Sequence, residues 1–187
     1  MGTIGGQILI NEDWTIALVH KCGSTGLKAG FSRIGCEFIT PDEPQLAPNA
    51  IVVVRNPLER VISWWRNQVR DRGRVDNVHR EILGLRDDQL ALDDTIRAIL
   101  AVPDDRRDSH YRSYGAYLAP LKNVRLVALE KLTETWPRGV PYVGPGGRDI
   151  NRTEDRGERP SDEVVEAFED AYHADYLIWE EAIDGRD

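Results

Sequence analysis

Apolar residues along this chain occur in two patterns, short runs typical of strands and spacings typical of helices. Together these patterns predict strands that alternate with helices. Two short apolar runs, residues 7–10 and 14–19, flank the polar triplet 11–13 and predict a β-hairpin. Residues 51–54 are all apolar and β-branched, which is typical of a central strand covered on both faces. Two further short strands are predicted at residues 36–39 and 124–129.

Helical spacing occurs between these runs. Leu27, Phe31 and Ile34 recur at i, i+4 and i+7 and predict a helix after the second strand. Pro57 stands at a favoured first helical position. The apolar stripe of the helix that it opens is Leu58, Ile62, Trp65 and Val69. Further helices are predicted over residues 93–102 and 109–118 and from the N-cap Ser161 onward. This alternation predicts an α/β fold with a mainly parallel central sheet flanked by helices.

The bulk composition narrows the class of protein. A chain of 187 residues that is 41% hydrophobic suits one compact domain, residues 1–187. The formal net charge of −8 disfavours nucleic acid and anionic membrane surfaces as partners. The N-terminus lacks the features of a signal peptide, and no apolar run approaches the ~20 residues of a membrane span, so we expect a cytoplasmic protein. Cys22 and Cys36 alone give no disulfide framework and no metal-ligand cluster.

Positive charge is concentrated in one stretch of this acidic chain. Residues 55–80 contain seven arginines and three acidic residues. A local basic patch of this kind fits a small anionic ligand better than a polymer. A solvated helix face is the alternative interpretation.

Residues 20–26, His-Lys-Cys-Gly-Ser-Thr-Gly, connect the predicted strand 14–19 to the helix that follows. Such a loop between a strand and a helix is a common phosphate-binding arrangement, because the helix N-terminus presents unpaired N–H groups and partial positive charge. Lys21 adds a full positive charge, and Ser24 and Thr25 add two hydroxyl donors. The loop therefore predicts a site for a phosphate-like anion.

A second strand-to-helix turn follows residues 51–54. Arg55 stands at the end of that strand, and an arginine can bind a phosphate bidentately. Two anion-binding corners on neighbouring strands predict a ligand that carries two separated anionic groups.

These two segments resemble motifs of the sulfotransferase family, which uses 3′-phosphoadenosine 5′-phosphosulfate (PAPS) as its sulfate donor. Residues 21–25, Lys-Cys-Gly-Ser-Thr, are similar to the family's 5′-phosphosulfate loop. Residues 55–63, Arg-Asn-Pro-Leu-Glu-Arg-Val-Ile-Ser, resemble its 3′-phosphate motif in the form found in carbohydrate-type members. Residues 127–132 are similar to a later family strand that ends in Glu and Leu. The resemblance covers residues 14–70 well and the remainder loosely.

The resemblance implies a P-loop-like three-layer fold, with the cofactor across the C-terminal edge of the parallel strands. The residues that would hold the 5′-phosphosulfate are Lys21, Cys22, Gly23, Ser24, Thr25 and Gly26. Arg55 and Ser63 would hold the 3′-phosphate, and adenosine 3′,5′-bisphosphate would be the product. The implied reaction needs no metal and moves a sulfuryl group to a hydroxyl, or an amine, of a carbohydrate-like or small-molecule acceptor.

Two catalytic roles follow for this reaction. Lys21 is expected to stabilise the negative charge that grows on the oxygen bridging phosphate and sulfate. His110 is our choice of general base, because a histidine titrates near neutral pH and several family members have one in this region; a surface or capping role is the alternative. Glu43 is the next candidate. His20 adjoins the loop, and a buried structural role is the alternative for it, whereas His79 and His173 are expected on helix surfaces.

Two other functions stay open at this point. A nucleotide-binding module with both corners and no turnover would act as a sensor or scaffold. The segment from His20 to Cys22 also resembles the loop of cysteine phosphatases, although a lysine separates the two residues and Lys28 replaces the family's arginine. In that interpretation the helix N-terminus lowers the pKa of Cys22; otherwise Cys22 is a small residue in a tight loop. A Walker A loop is absent.

The remaining candidate site residues are aromatic residues and one asparagine. Trp65 fits the buried stripe of its helix, whereas Trp64 suits either the core or stacking on a sugar or adenine. Tyr111, Tyr114 and Tyr117 recur at helical spacing, and core packing is favoured over contact with an acceptor. Asn151 either binds near the cofactor or caps a turn.

Overall fold

The computed structural model describes residues 6–39, 48–72, 75–86, 90–142 and 157–185. Its five strands are Gln7–Leu9 (β1), Trp14–Ala17 (β2), Glu37–Ile39 (β3), Asn49–Val54 (β4) and Val124–Ala128 (β5). They form one sheet in the order β3-β1-β2-β4-β5. The predicted hairpin of β1 and β2 is confirmed, and Val52 and its neighbours in β4 are buried as the apolar run predicted.

The sheet is mixed, so the expectation of a mainly parallel sheet is not confirmed. β4 pairs in parallel with β2 and with β5. β1 pairs in antiparallel fashion with β2 and with β3. The reason for the first antiparallel pair is local, because the short connection between β1 and β2 can only return the chain in the opposite direction. The chain after the next helix then joins the outer edge of β1.

The described residues form eight α-helices, which flank the sheet: Ser24–Ser32 (α1), Pro57–Trp65 (α2), Asn77–Leu83 (α3), Leu92–Ala101 (α4), Tyr114–Leu118 (α5), Leu132–Thr135 (α6), Asp162–Ala171 (α7) and His173–Asp184 (α8). α2 continues as a π-helical turn, Arg66–Arg70. Pro57 is confirmed near the start of α2, where the Asn56 side chain accepts a hydrogen bond from the Glu59 N–H. Within the described ranges, no helix combines the length and the apolar character needed to cross a membrane.

Two predicted helices differ from those observed. The helix expected over residues 109–118 forms only as α5, because the carbonyls of Ser109 and Arg112 accept hydrogen bonds from Arg60 instead of from a helical turn. The single C-terminal helix is divided into α7 and α8 at Tyr172, whose hydroxyl donates to the Tyr111 carbonyl. The N-cap at Ser161 is confirmed.

The apolar core has two parts. One part covers the sheet and includes Ile16, Phe31 and Ile51, all fully buried. The other lies between α2, α4 and α7 and includes Trp64 and Phe168. Since β2 and β4 are parallel neighbours, the loops that follow their C-terminal ends lie side by side over the sheet edge.

Candidate functional site

The loop between β2 and α1 is the first of the two predicted anion-binding corners. Lys21 and Gly23 both adopt left-handed conformations, with φ of 64° and 76°. A Cβ on Gly23 would lie 2.8 Å from Leu129 Cδ1, a side-chain end that can move, so it is the positive φ that favours glycine at this position. The first bond of α1 runs from the Leu27 N–H to the Gly23 carbonyl at 3.0 Å. Within the described part of the chain, the N–H groups of the first α1 residues, Ser24, Thr25 and Gly26, have no acceptor.

Lys21 carries its charge into a partly buried position at this helix N-terminus. Its Nζ donates to Asn67 Oδ1 at 3.0 Å. The pKa of Lys21 is lowered to about 8 because the ammonium is partly buried and lies near the positive charges of Arg72 and Arg55. The lysine of the first predicted corner and the arginine of the second therefore share one electrostatic environment.

The Tyr114 hydroxyl joins the two corners directly. It donates to the Arg55 carbonyl at 2.6 Å and accepts from the Arg55 N–H at 3.0 Å. Its oxygen also lies 3.5 Å from Cys22 Sγ in the loop. The Tyr114 N–H donates in turn to both carboxylate oxygens of Asp175 on α8, each at 2.9 Å, and burial raises the pKa of this carboxyl to about 7. Tyr114, which its spacing in the sequence predicted to be a core residue, thus also fixes the loops after β2 and β4 relative to each other.

The second corner is formed by Arg55 and the exposed side of α2. The Arg55 guanidinium makes an ion pair with Glu59 at 3.5 Å and is partly exposed. Ser63 is half-buried and lies four residues before Asn67, the acceptor for Lys21. This spacing places Ser63 and Asn67 on the same side of neighbouring helical turns. The predicted 3′-phosphate residues and the predicted phosphosulfate lysine are therefore brought together.

Arg60 is the residue that connects this region to the turn carrying His110. It is 1% exposed, which contradicts the solvated-face interpretation of the arginine-rich stretch at this position. Its guanidinium donates to the His20 carbonyl at 3.2 Å, to the Arg112 carbonyl at 2.8 Å and to the Ser109 carbonyl at 2.9 Å. Sequence reasoning missed this role, since only the fold shows that Arg60 points to the core.

His110 stands beside the loop after β2, and a carboxylate orients its ring. Its Nδ1 donates to Asp108 Oδ1 at 2.5 Å, and its backbone N–H donates to the same oxygen at 2.9 Å. Burial alone would raise the pKa of Asp108, yet the hydrogen bonds from His110 hold it well below its usual range. The carboxylate therefore fixes the tautomer in which Nε2 of His110 is free to accept a proton. The Asp-Ser-His spacing was the sequence signal that could have identified Asp108.

The other two histidines near the loop are packed against His110. The His20 ring centroid lies 4.4 Å from that of His110, and burial, with the His110 ring nearby, lowers the pKa of His20 to about 4. The expectation that His79 lies on a helix surface is wrong: it is 6% exposed, and burial lowers its pKa. It is drawn inward because α3 packs against Trp64 and Tyr111. His173 is exposed on α8, as predicted.

Cys22 has the properties of a packed residue. It is 1% exposed, and burial raises its pKa despite the nearby guanidinium of Arg60. The lowered pKa required by the cysteine-phosphatase interpretation is therefore contradicted. Cys22 contributes to the loop by its small size and its contact with Tyr114.

We expect iodoacetamide to modify Cys36 and to leave Cys22 unmodified in the folded protein. Burial raises the pKa of both thiols, so access decides the outcome: Cys36 is partly exposed, whereas Cys22 is enclosed. Mass spectrometry of the digested protein measures both sites, and denaturation in urea before labelling provides the control in which both react. Preferential labelling of Cys22 in the folded state would contradict this placement.

The remaining candidates divide into core residues and residues outside the described ranges. Trp65 is buried as predicted, and Trp64, which the sequence left undecided, is completely buried. The tyrosines are core residues as expected, each at most 1% exposed: Tyr111, Tyr114 and Tyr117. Glu43 and Asn151 lie outside the described residues.

Comparison with known proteins gives no family for this chain. No protein-family model matches its sequence, and no solved structure matches its fold.

Proposed function

We propose that this protein is a PAPS-dependent sulfotransferase with the P-loop-like arrangement that its motifs resemble. The single observation that carries the proposal is the shared environment of Lys21 and Arg55 at the ends of the parallel strands β2 and β4. This arrangement suits one ligand with two anionic ends. The alternative, a binding module without turnover, uses the same two corners and differs only in the absence of transfer.

The donor groups on the two loops fit the anionic ends of PAPS. A phosphosulfate suits the ammonium of Lys21 and the amides of Ser24, Thr25 and Gly26, which have no acceptor among the described residues, because backbone donors at a helix N-terminus favour negative charge. Arg55 and Ser63 suit the 3′-phosphate. Glu59, which now pairs with Arg55 at 3.5 Å, has to yield that guanidinium to the ligand.

The reactive step is the transfer of a sulfuryl group from a phosphate oxygen to an acceptor oxygen. His110 Nε2 accepts the proton of the acceptor hydroxyl, and Asp108 stabilises the imidazolium that forms. Lys21 and the loop amides stabilise the charge that develops on the departing phosphate oxygen. Positioning and electrostatics are sufficient for a loose, in-line transfer of this type.

Adenosine 3′,5′-bisphosphate should raise the melting temperature of this protein, and AMP and ATP should not. At a ligand concentration of 100 times Kd, a single site adds about 2.7 kcal/mol of stability. Lys21→Ala and Arg55→Ala should each reduce the shift. Lys28→Ala is the matched control, because Lys28 packs on the Phe38 ring away from the loop.

Differential scanning fluorimetry measures these shifts. Equal shifts with AMP and the bisphosphate would argue against a second anion corner. An unchanged shift in both Lys21→Ala and Arg55→Ala would place the ligand elsewhere and overturn the proposed function.

A further inference from the structure

We propose that His79, Asp108 and His110 form a binding site for a divalent transition-metal ion of the Zn²⁺ type. Each of the three residues offers one ligand atom, and these atoms all lie within 4.8 Å of one another. His79 belongs to α3 and the other two to the turn before α5, so the cluster is created by the fold.

The three side chains are held in place by neighbouring contacts. His79 is 6% exposed, and its ring lies edge-on to Trp64 with 5.0 Å between the centroids. Its backbone N–H donates to Asp76 Oδ1 at 3.0 Å. Arg60 fixes the turn on both sides of His110 through two carbonyls. Preorganisation of this kind lets a site bind an ion without first paying to order its ligands.

The hydrogen bonds of the two rings suit metal ligation. His79 Nδ1 lies 3.4 Å from the Tyr111 hydroxyl, and His110 Nδ1 lies 2.5 Å from Asp108 Oδ1. A ligating histidine normally gives its other ring nitrogen to a polar partner, often a carboxylate. For His79 that partner is the Tyr111 hydroxyl, whereas at His110 the ion would replace the proton that Nδ1 shares with Asp108 Oδ1. Asp76 Oδ2, 3.7 Å from His79 Nε2, adds negative charge nearby.

The donor set predicts which ions bind. Two imidazoles and a carboxylate are typical of zinc sites that keep a fourth position open. Ligand atoms around a tetrahedral Zn²⁺ with bonds of about 2.0–2.1 Å lie roughly 3.3 Å apart, so atoms now up to 4.8 Å apart have to approach one another by as much as about 1.5 Å. Mg²⁺ and Ca²⁺ prefer oxygen ligands and should bind poorly.

One consequence rests on the proposed function, although metal binding itself does not. With an ion on His110 Nδ1, the ring proton would stay on Nε2, which then has no lone pair to take the acceptor's proton. Metal binding would then inhibit sulfuryl transfer reversibly, and a chelator would restore it.

Titration of EDTA-treated protein with Co²⁺ tests the site. We expect visible d–d absorption bands of four- or five-coordinate Co²⁺, which Zn²⁺ abolishes by displacement, whereas Mg²⁺ does not. His79→Gln and His110→Gln should weaken Co²⁺ binding by at least about 100-fold, because loss of an outer-shell partner alone costs about 10–100-fold. His173→Gln, an exposed histidine on α8, should leave the bands unchanged.

Two results would overturn the proposal: no such bands in the wild-type protein, or an unchanged Co²⁺ affinity in His110→Gln. His110 is only partly buried, so this variant carries the test if His79→Gln does not fold. Circular dichroism checks the fold of each variant. Because stabilisation by adenosine 3′,5′-bisphosphate is measured without metal, failure of the metal site and failure of the proposed function are distinguishable.

Discussion

Replacing Arg60 with methionine should lower the free energy of unfolding by about 3–5 kcal/mol. The substitution keeps much of the aliphatic volume but removes the donors to the carbonyls of His20, Ser109 and Arg112. It also removes the donor to the Tyr117 hydroxyl and the cation that lies over the Tyr114 ring. The Ser109 carbonyl keeps the Tyr117 hydroxyl as a donor, whereas a buried acceptor that loses its donor carries its full desolvation cost. Urea denaturation of the wild type and the variant measures the difference.

Arg97→Met is the matched control for this experiment. Arg97 lies on α4 with a half-exposed side chain, and it pairs with Asp93 at 4.0 Å and with Glu163 at 3.5 Å. Exposed ion pairs contribute about 0–1 kcal/mol, so this variant should remain close to the wild type. Equal losses in the two variants would contradict the role of Arg60 as the buried connection between the loop and the turn.

Lys21→Ala should reduce the rate of sulfuryl transfer by about 100- to 1,000-fold, as expected for the loss of one preorganised donor at a developing negative charge. The assay uses labelled PAPS with a panel of carbohydrate and small-molecule acceptors, and Lys28→Ala serves as the control with full activity. A Lys21→Ala protein with wild-type turnover would exclude the catalytic role of Lys21. Binding of the bisphosphate without transfer to any acceptor would favour the module without turnover.

The same lysine predicts a pH dependence of ligand affinity. Its pKa is lowered to about 8, so the ammonium is present below that pH and is lost above it. Affinity of the free protein for adenosine 3′,5′-bisphosphate should therefore fall as the pH rises through about 8. Lys21→Arg stays protonated throughout this range and should lack the decrease. Calorimetric titrations between neutral and alkaline pH measure both proteins; an equal decrease in both would assign the effect to another group.

Local sequence patterns predicted most elements of this fold correctly. The hairpin of β1 and β2, the strand β4 and the helix opened by Pro57 each follow from apolar spacing and one turn or cap residue. These signals depend on only a few neighbouring residues, so the predicted elements form wherever tertiary contacts do not oppose them. The helix expected over residues 109–118 forms only over its second half. Arg60, which is distant in sequence, donates hydrogen bonds to the Ser109 and Arg112 carbonyls.

The candidate site was predictable only in its outline. Both anion corners stand out because glycine, lysine and arginine have specific conformational or charge properties at strand ends. Asp108 and Asn67 escaped notice because ordinary polar residues gain their roles from partners, here His110 and Lys21. His79 was predicted to lie on the surface because the short segment that forms α3 shows no clear stripe of buried apolar residues.

The sequence by itself determined the strand-loop-helix units and the residue types able to hold two anions, since these depend on local conformation and side-chain chemistry. Only the tertiary structure decided that the sheet is mixed, that Arg60 is buried and that His110 stands between His20 and His79. Each of these outcomes depends on contacts between residues distant in sequence. The free energies of these contacts depend on packing and desolvation, which local sequence patterns do not reveal.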